Sequence, residues 1–352
     1  MKDIAWGDAA FWQHAWGEGV GAFIWHIAQY HGQDIEEGLR SELIERPLRE
    51  QTAHSLMLRS VAVELLGAFD AAGLPVLMLR GQALADVFYN PPGLRPQTDI
   101  DLLVEGVNAD RLAELLGGAG FSPLPGYPLL FTRDGVMLDV HTEPLGIERI
   151  GAWALLTPLR APDFFAAAHS GMLAGQASLL VGAQVQLPYL CFHAMKHSFE
   201  RLIWLLDIAC MARRVTEKNG WGETLEAVER FCLQRPCYYA LSYADAYLAA
   251  GVPAEVLEGL KPDMGWFERQ LFARFMRHEA VPFLAERVFA RMQPDSLHRV
   301  AFWKETVWPQ AEVRAQVNAD PQARGGFVAK RIRQLGLAAA ILVSEMWALL
   351  RR

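Results

Sequence analysis

Residues 77–104 read LMLRGQALADVFYNPPGLRPQTDIDLLV, and residues 137–143 read MLDVHTE. The first stretch opens on a short apolar run of strand length. Gly81 follows, and QALADVFY then carries apolar residues at helical spacing. Pro91, Pro92, Gly93 and Pro96 make a loop. Asp99–Val104 reads as a second strand. Residues 108–117 read as a helix, with Asn108 as its N-cap and Gly120 past its end. Residues 135–142, GVMLDVHT, read as a third strand. The order strand, helix, strand, helix, strand predicts a small α/β or α+β unit between about 71 and 148.

Three features of that unit bear on chemistry. Gly81 sits directly after a strand and directly before a helix, where its backbone can approach a phosphate beside free helix N–H groups; a purely conformational glycine is the alternative. Asp99 and Asp101 are two apart on an extended segment, so their carboxylates project together while Ile100, Leu102 and Val104 face a core. Adjacent carboxylates repel, and Mg²⁺, which prefers carboxylate and phosphate oxygen, is the natural compensating cation; a solvated strand end is the alternative. Asp139 lies in an apolar strand, where an unpaired charge is costly. If its strand runs beside that of Asp101, the carboxylates of Asp99, Asp101 and Asp139 converge in an arrangement fit for one or two Mg²⁺ ions.

Outward from this unit the chain reads as helical. Residues 1–70 are rich in aromatics and then carry an amphipathic pattern over 42–70, with Pro47 expected to interrupt it near its start. From about 150 onward the pattern is helical again, and its longest stretch is 187–214. The expected division is 1–70 (helical), 71–148 (the mixed core) and 149–352 (helical). The 352 residues are 52% hydrophobic and 21% charged, which excludes a globally disordered chain. A net charge of −7 argues against a general nucleic-acid coat. The 4 cysteines (191, 210, 232 and 237) form no CxxC pair, which argues against a zinc module or a disulfide scaffold. The N-terminus carries Asp3 and Asp8 where a signal peptide needs an apolar run, so a cytoplasmic location is expected. Residues 335–350 are apolar but short for a membrane span, with basic flanks. They read as a helix docked on the protein or a partner, or as a membrane-surface contact.

Other candidates are weaker. His193 and His197 share a helix face near Cys191, but the intervening residues lack the Glu of an HExxH site. Lys196 and His197 are candidates to meet phosphate from the helical half; plain packing is the alternative. Arg80 and Arg95 flank the core motif and could bind phosphate as planar forks. Asp207, in an apolar helix, is expected to pair with an arginine or to cap another element. His141 and Glu143 are expected to support Asp139 from behind. Gly17–Gly21 mimics a glycine-rich loop, but no strand precedes it.

Taken together, 77–104 and 137–143 resemble the uncharacterised nucleotidyltransferase family of bacteria, a branch of the DNA polymerase β-like superfamily. The resemblance extends through HAMKHSFERLIWLLDIA (193–209) and WGETLEAV (221–228), over roughly 60–260. It implies an α+β fold, with a small mixed-sheet nucleotidyltransferase core flanked by helical regions. It implies a triphosphate contact at Gly81 and Gln82, Mg²⁺ at Asp99 and Asp101, and Asp139 completing the metal site and assisting the attacking group. Where much of the superfamily has Gly-Ser or Gly-Gly, this chain has Gly81-Gln82, so a serine contact to triphosphate is missing there. The implied reaction is attack of a hydroxyl on the α-phosphate of a nucleoside triphosphate, with pyrophosphate leaving. The acceptor is a small molecule, a peptide or protein side chain, or an RNA end. A non-catalytic nucleotide-binding or docking module on the same fold is the alternative.

Overall fold

The computed structural model describes residues 6–107, 109–145, 151–279, 281, 283–309, 311, 314, 326–329, 331–333, 335–336, 339–340 and 343. The expected cap Asn108 and most of the apolar segment 335–350 lie outside the described residues. Two compact units divide the chain. The first comprises 1–145 and 159–260, the second 146–158 and 261–352.

In the first unit, helices α1 (Ala9–Gly17), α2 (Gly21–Tyr30), the short α3 (Glu37–Arg40) and α4 (Arg46–Ala71) precede the sheet. Pro47 stands in the first turn of α4, directly after a π-helical segment over Ser41–Glu45, so the helical pattern is disturbed near its start without the chain leaving helical geometry. The core then runs β1 (Val76–Met78), α5 (Gly81–Phe88), β2 (Ile100–Val104), α6 (Ala109–Gly118), β3 (Ser122–Leu124), β4 (Tyr127–Arg133) and β5 (Val136–His141). After α7 (Ala161–Ala166) comes a hairpin, β6 (Ala168–Leu173) and β7 (Gln176–Val181). This hairpin corrects the expectation that everything beyond about 150 is helical. Helices α8 (Ala183–Lys196), α9 (Leu202–Glu217), α10 (Trp221–Arg230), α11 (Gln234–Leu248) and α12 (Ala254–Leu260) follow.

The seven strands form one mixed sheet in the order β3-β4-β5-β2-β1-β7-β6. β2 runs antiparallel to β1 and parallel to β5, and β7 runs parallel to β1. Strand alternation sorts the side chains. Ile100, Leu102, Val104, Leu138 and Val140 are buried in a core with Leu58, Leu65 and Phe69 of α4 and Leu112 and Leu116 of α6. Asp101, Asp139 and His141 therefore project from the opposite face. Helices α8, α9, α10 and α11 pack on one another as a bundle. The break between α8 and α9, inside the long helical stretch, falls where Ser198 and Phe199 both take positive φ.

The second unit contains α13 (Trp266–Met276), α14 (Leu284–Met292) and α15 (Ser296–Val307). Trp153 packs edge-on to Phe289 at 5.9 Å. Among the described residues, no helix is long and apolar enough to cross a membrane.

Candidate active site

β2 and β5 lie side by side in parallel, and their register sets Asp101 opposite Asp139 and Leu103 opposite His141. Ligand atoms of Asp101, Asp139 and His141 all lie within 4.8 Å of one another. His141 Nε2 is 3.1 Å from Asp101 Oδ1, within hydrogen-bond distance, and 3.5 Å from Asp139 Oδ2, a looser contact. It stands closer to them than the supporting position expected from sequence.

Asp99 lies one residue before β2, and its carboxylate accepts a hydrogen bond from Thr98 Oγ1 at 3.0 Å. It is not in the tight cluster but feels it electrostatically. Burial, then the charge of Asp101, raise its pKa, with Asp139 adding to the rise. Asp101 behaves oppositely. Burial favours its neutral form, but the Arg80 guanidinium and His141 outweigh that and hold it well below the usual carboxylate range.

Arg80 closes β1 toward α5 and donates to Asp101 Oδ1 through Nη2. Its Nη1 meets His193 Nδ1 at 2.5 Å, and the Tyr189 ring lies 6.0 Å from its guanidinium carbon. Burial favours a neutral guanidine, yet Asp101 outweighs it and the Arg80 pKa is raised. Tyr189 and His193 are four apart on α8, so one helix face meets the carboxylate cluster from the bundle side. Burial, then the nearby Arg80 charge, push His193 well below the ordinary histidine range. Burial raises the pKa of the Tyr189 hydroxyl, which has no hydrogen-bond partner among the described residues.

Gly81 opens α5 with no side-chain cap before it. A Cβ there would meet Gln97 Oε1 at 3.5 Å and Asp99 O at 3.7 Å, which is ordinary contact. Neither a clash nor a positive φ demands glycine, so its effect is to leave the helix N-terminus bare. The buried Gln97 Oε1 beside it has no hydrogen-bond partner among the described residues. Gln82 turns along α5, with Nε2 3.4 Å from Asp86 Oδ1.

The remaining candidates lie as follows. Arg95 requires a correction: it presents no free fork. Its Nε and Nη2 donate to Asp207 at 2.9 and 2.7 Å, and Nη1 donates to Pro96 O. Asp207 also accepts from the Tyr89 hydroxyl at 2.8 Å. The pairing expected for Asp207 therefore takes up the very arginine expected at phosphate. Lys196 Nζ donates to Leu145 O at 3.4 Å. His197 caps α8 and packs with His193 and Trp204 at 4.8 and 5.1 Å. Burial, then Lys196, lower its pKa to about 4. Sequence reasoning missed Tyr189 as a site residue and missed His193 as the partner of Arg80. Their shared helix face was visible; which strand it would meet was not.

The donor set suits a divalent cation. Asp101 and Asp139 offer hard carboxylate oxygens on adjacent strands. Arg80 and His141 both address Oδ1 of Asp101, and Asp139 accepts no hydrogen bond from a described residue. Carboxylate oxygens are thus left over where burial and like charge favour a cation.

A mixed sheet with paired strand aspartates, a strand–glycine–helix turn before them and a helical bundle facing them defines the nucleotidyltransferase class. This chain belongs to the uncharacterised nucleotidyltransferase family, whose model matches residues 7–249, and it is a nucleotidyltransferase enzyme. No curated protein matches the chain. Two solved structures are similar to it. The antibiotic-resistance factor ANT(2'')-Ia matches at 16% identity over 64% of this chain and 97% of its own, with a TM-score of 0.32. An antigenic nucleotidyltransferase-like protein from Paracoccidioides brasiliensis matches at 19% identity over 44% of this chain and 75% of its own, with a TM-score of 0.33.

Proposed function

We propose that the protein moves a nucleoside monophosphate from a nucleoside triphosphate to an acceptor hydroxyl, with Mg²⁺ held by Asp101 and Asp139 and with Asp99 contributing. The observation that carries this reading is the in-register pairing of Asp101 with Asp139 on adjacent parallel strands. One or two Mg²⁺ ions, when bound, neutralise phosphate charge and align the displaced group. The chain's own residues do the rest. Arg80 keeps Asp101 ionised and therefore able to hold a cation. The bare N-terminus of α5 at Gly81 offers N–H groups to phosphate oxygens. Asp139, whose carboxylate takes no hydrogen bond from a described residue, is the group to accept or orient the proton of the attacking hydroxyl. The Tyr189 hydroxyl and Gln97 carbonyl, buried and unpartnered among the described residues, are candidate substrate contacts at the bundle side and the helix side of the site. The acceptor is a small molecule, a peptide or protein side chain, or an RNA end; the net charge of −7 weighs against RNA.

The test is incubation with each labelled nucleoside triphosphate and Mg²⁺, reading pyrophosphate release and transfer of label. Asp101→Asn and Asp139→Asn should each lower turnover by about 100-fold or more while leaving the circular dichroism spectrum unchanged. Pyrophosphate release unaffected by both substitutions would refute the site.

A further inference from the structure

Beside α5, the first unit forms a half-open cavity of about 410 Å³. Its apolar wall is made by Leu84, Val87 and Phe88 of α5, Leu180 of β7, and Met211 and Val215 of α9. None of Arg80, Gly81, Asp99, Asp101, Asp139 or His141 lines it. The volume lies within the range of small-molecule sites, roughly 300–1,000 Å³.

Two independent features give this cavity the character of a binding site. The first is Gln186 on α8. It lines the cavity, is only 3% exposed, and neither Oε1 nor Nε2 has a hydrogen-bond partner among the described residues. A buried amide left unpaired is unfavourable, and buried amides are normally satisfied. The second is the charge that lines it. Arg214 and Lys218, on the last turn of α9 and just past it, line the cavity with Glu223, leaving one net positive charge. The N-terminus of α10 joins them, its N-cap Gly220 supplying no side chain to its first N–H groups. Arg214 is held over the apolar wall, its guanidinium carbon 5.8 Å from the Phe88 ring centroid.

We infer that this cavity is a second ligand site, for a small organic anion with a ring-sized apolar body. The anionic group sits at Arg214, Lys218 and the start of α10. The apolar body lies against Leu84, Phe88 and Met211. A polar edge able to both donate and accept satisfies the Gln186 amide.

The probe is 8-anilinonaphthalene-1-sulfonate, which joins two aromatic rings, one N–H and one anionic group. Fluorescence titration of the whole chain should show one saturable site. Arg214→Gln with Lys218→Gln should weaken it by about tenfold, and Gln186→Leu by about fivefold. Gln186→Leu should also raise the melting temperature of the free protein, because it removes an unpaired buried amide; this separates loss of binding from loss of folding. Asp101→Asn should bind the probe as the native chain does. Competition by indole-3-acetate against adenosine 5′-monophosphate then ranks carboxylate against phosphate as the natural anion. The inference is overturned by any of four results: no saturable binding; full affinity in both cavity variants; binding lost in Asp101→Asn; or binding lost only on Trp303→Ser in α15. Displacement by neither competitor overturns it as well.

Discussion

Replacing Asp207 by asparagine tests whether the bundle holds the loop that delivers Asp99. The side chains of Arg95 and Asp207 are 6% and 1% exposed, and two charge-assisted bonds of 2.9 and 2.7 Å join them. Burial favours a neutral Arg95, but Asp207 outweighs it, so the Arg95 pKa is raised. Asp207→Asn keeps the shape and removes the charge, leaving a buried guanidinium uncompensated. Breaking one side of a buried pair in this way costs about 3–5 kcal/mol. At about 2–4 °C per kcal/mol for a unit of this size, the melting temperature should fall by about 6–20 °C. Arg95→Met should cost less, because the Tyr89 hydroxyl still donates to the aspartate it leaves behind. Arg95→Met with Asp207→Leu should return to within about 2 kcal/mol of the native protein, since an apolar pair of similar volume replaces a buried ion pair with little loss. Urea unfolding of the native chain, Arg95→Met, Asp207→Leu and the double variant closes the cycle and gives the coupling energy, expected at about 3 kcal/mol. The double variant should still turn over more slowly, because the loop entering Asp99 has lost its tie. A cost below about 1 kcal/mol for Asp207→Asn, or additive single costs, would refute this reasoning. A raised KM for nucleotide in Arg95→Met with native stability in Asp207→Asn would return Arg95 to phosphate binding.

Four further outcomes are expected. Mg²⁺ should raise the melting temperature of the native chain, by an amount equivalent to about 2.7 kcal/mol at a hundredfold excess over Kd, and should leave Asp139→Asn unmoved in differential scanning fluorimetry. Arg80→Met should lower turnover at neutral pH by about tenfold or more and shift the acid limb of the rate profile upward, because Asp101 loses the charge that keeps it ionised. His197 binds its proton more weakly when folded, near pH 4, than when unfolded, near the ordinary histidine value of about 6.5. The unfolded state therefore takes up the extra proton between these values, and stability should fall as pH drops through that window. The ceiling is about 3 kcal/mol, and about half that for a half-buried ring; His197→Phe should lessen the fall of the urea midpoint between pH 6.5 and 4, the likewise depressed His193 keeping the rest. Gly93 has φ +94°, and a Cβ there would collide with Thr52 of α4. Gly93→Ala should cost about 2 kcal/mol or more, and Thr52→Ala should not restore it, because the backbone strain persists.

The strands that carry the carboxylates were legible because each is a short apolar run between turn residues, with alternation strong enough to reveal its buried face. β5 is the clearest: Val136, Leu138 and Val140 are buried while Met137, Asp139 and His141 are only partly so. The strands that escaped notice lie away from this centre. β3 and β6 form the sheet edges. Among the residues of β6 only Leu173 is fully buried, so alternation there is faint. Turn chemistry marked two of the three hairpins nonetheless. Asp134-Gly135 joins β4 to β5 and Ala174-Gly175 joins β6 to β7, each pair with both residues at positive φ. Two-residue loops of this kind match the twist of the flanking strands, and Asp-Gly between apolar runs is a hairpin signal that composition and helical spacing do not register.

The site divides along the same line between local and distant. Asp101 and Asp139 follow from alternation on two strands plus one assumption, that the strands are neighbours. Asp99 was assigned by extending the strand one residue too far, yet the electrostatic coupling survives because a pre-strand residue still lies beside the first pleat. What sequence could not supply is the partner each cation takes. Arg80 and Arg95 look alike in the motif, both near glycines and both flanking aspartates. Their fates are decided by α8 and α9, more than a hundred residues away: His193 leaves Arg80 a free edge toward Asp101, while Asp207 engages the fork of Arg95 completely. One arginine thereby tunes the carboxylate cluster and the other fastens the loop that leads to it. The helical bundle thus does more than cover the sheet, because it decides which positive charge the cluster keeps.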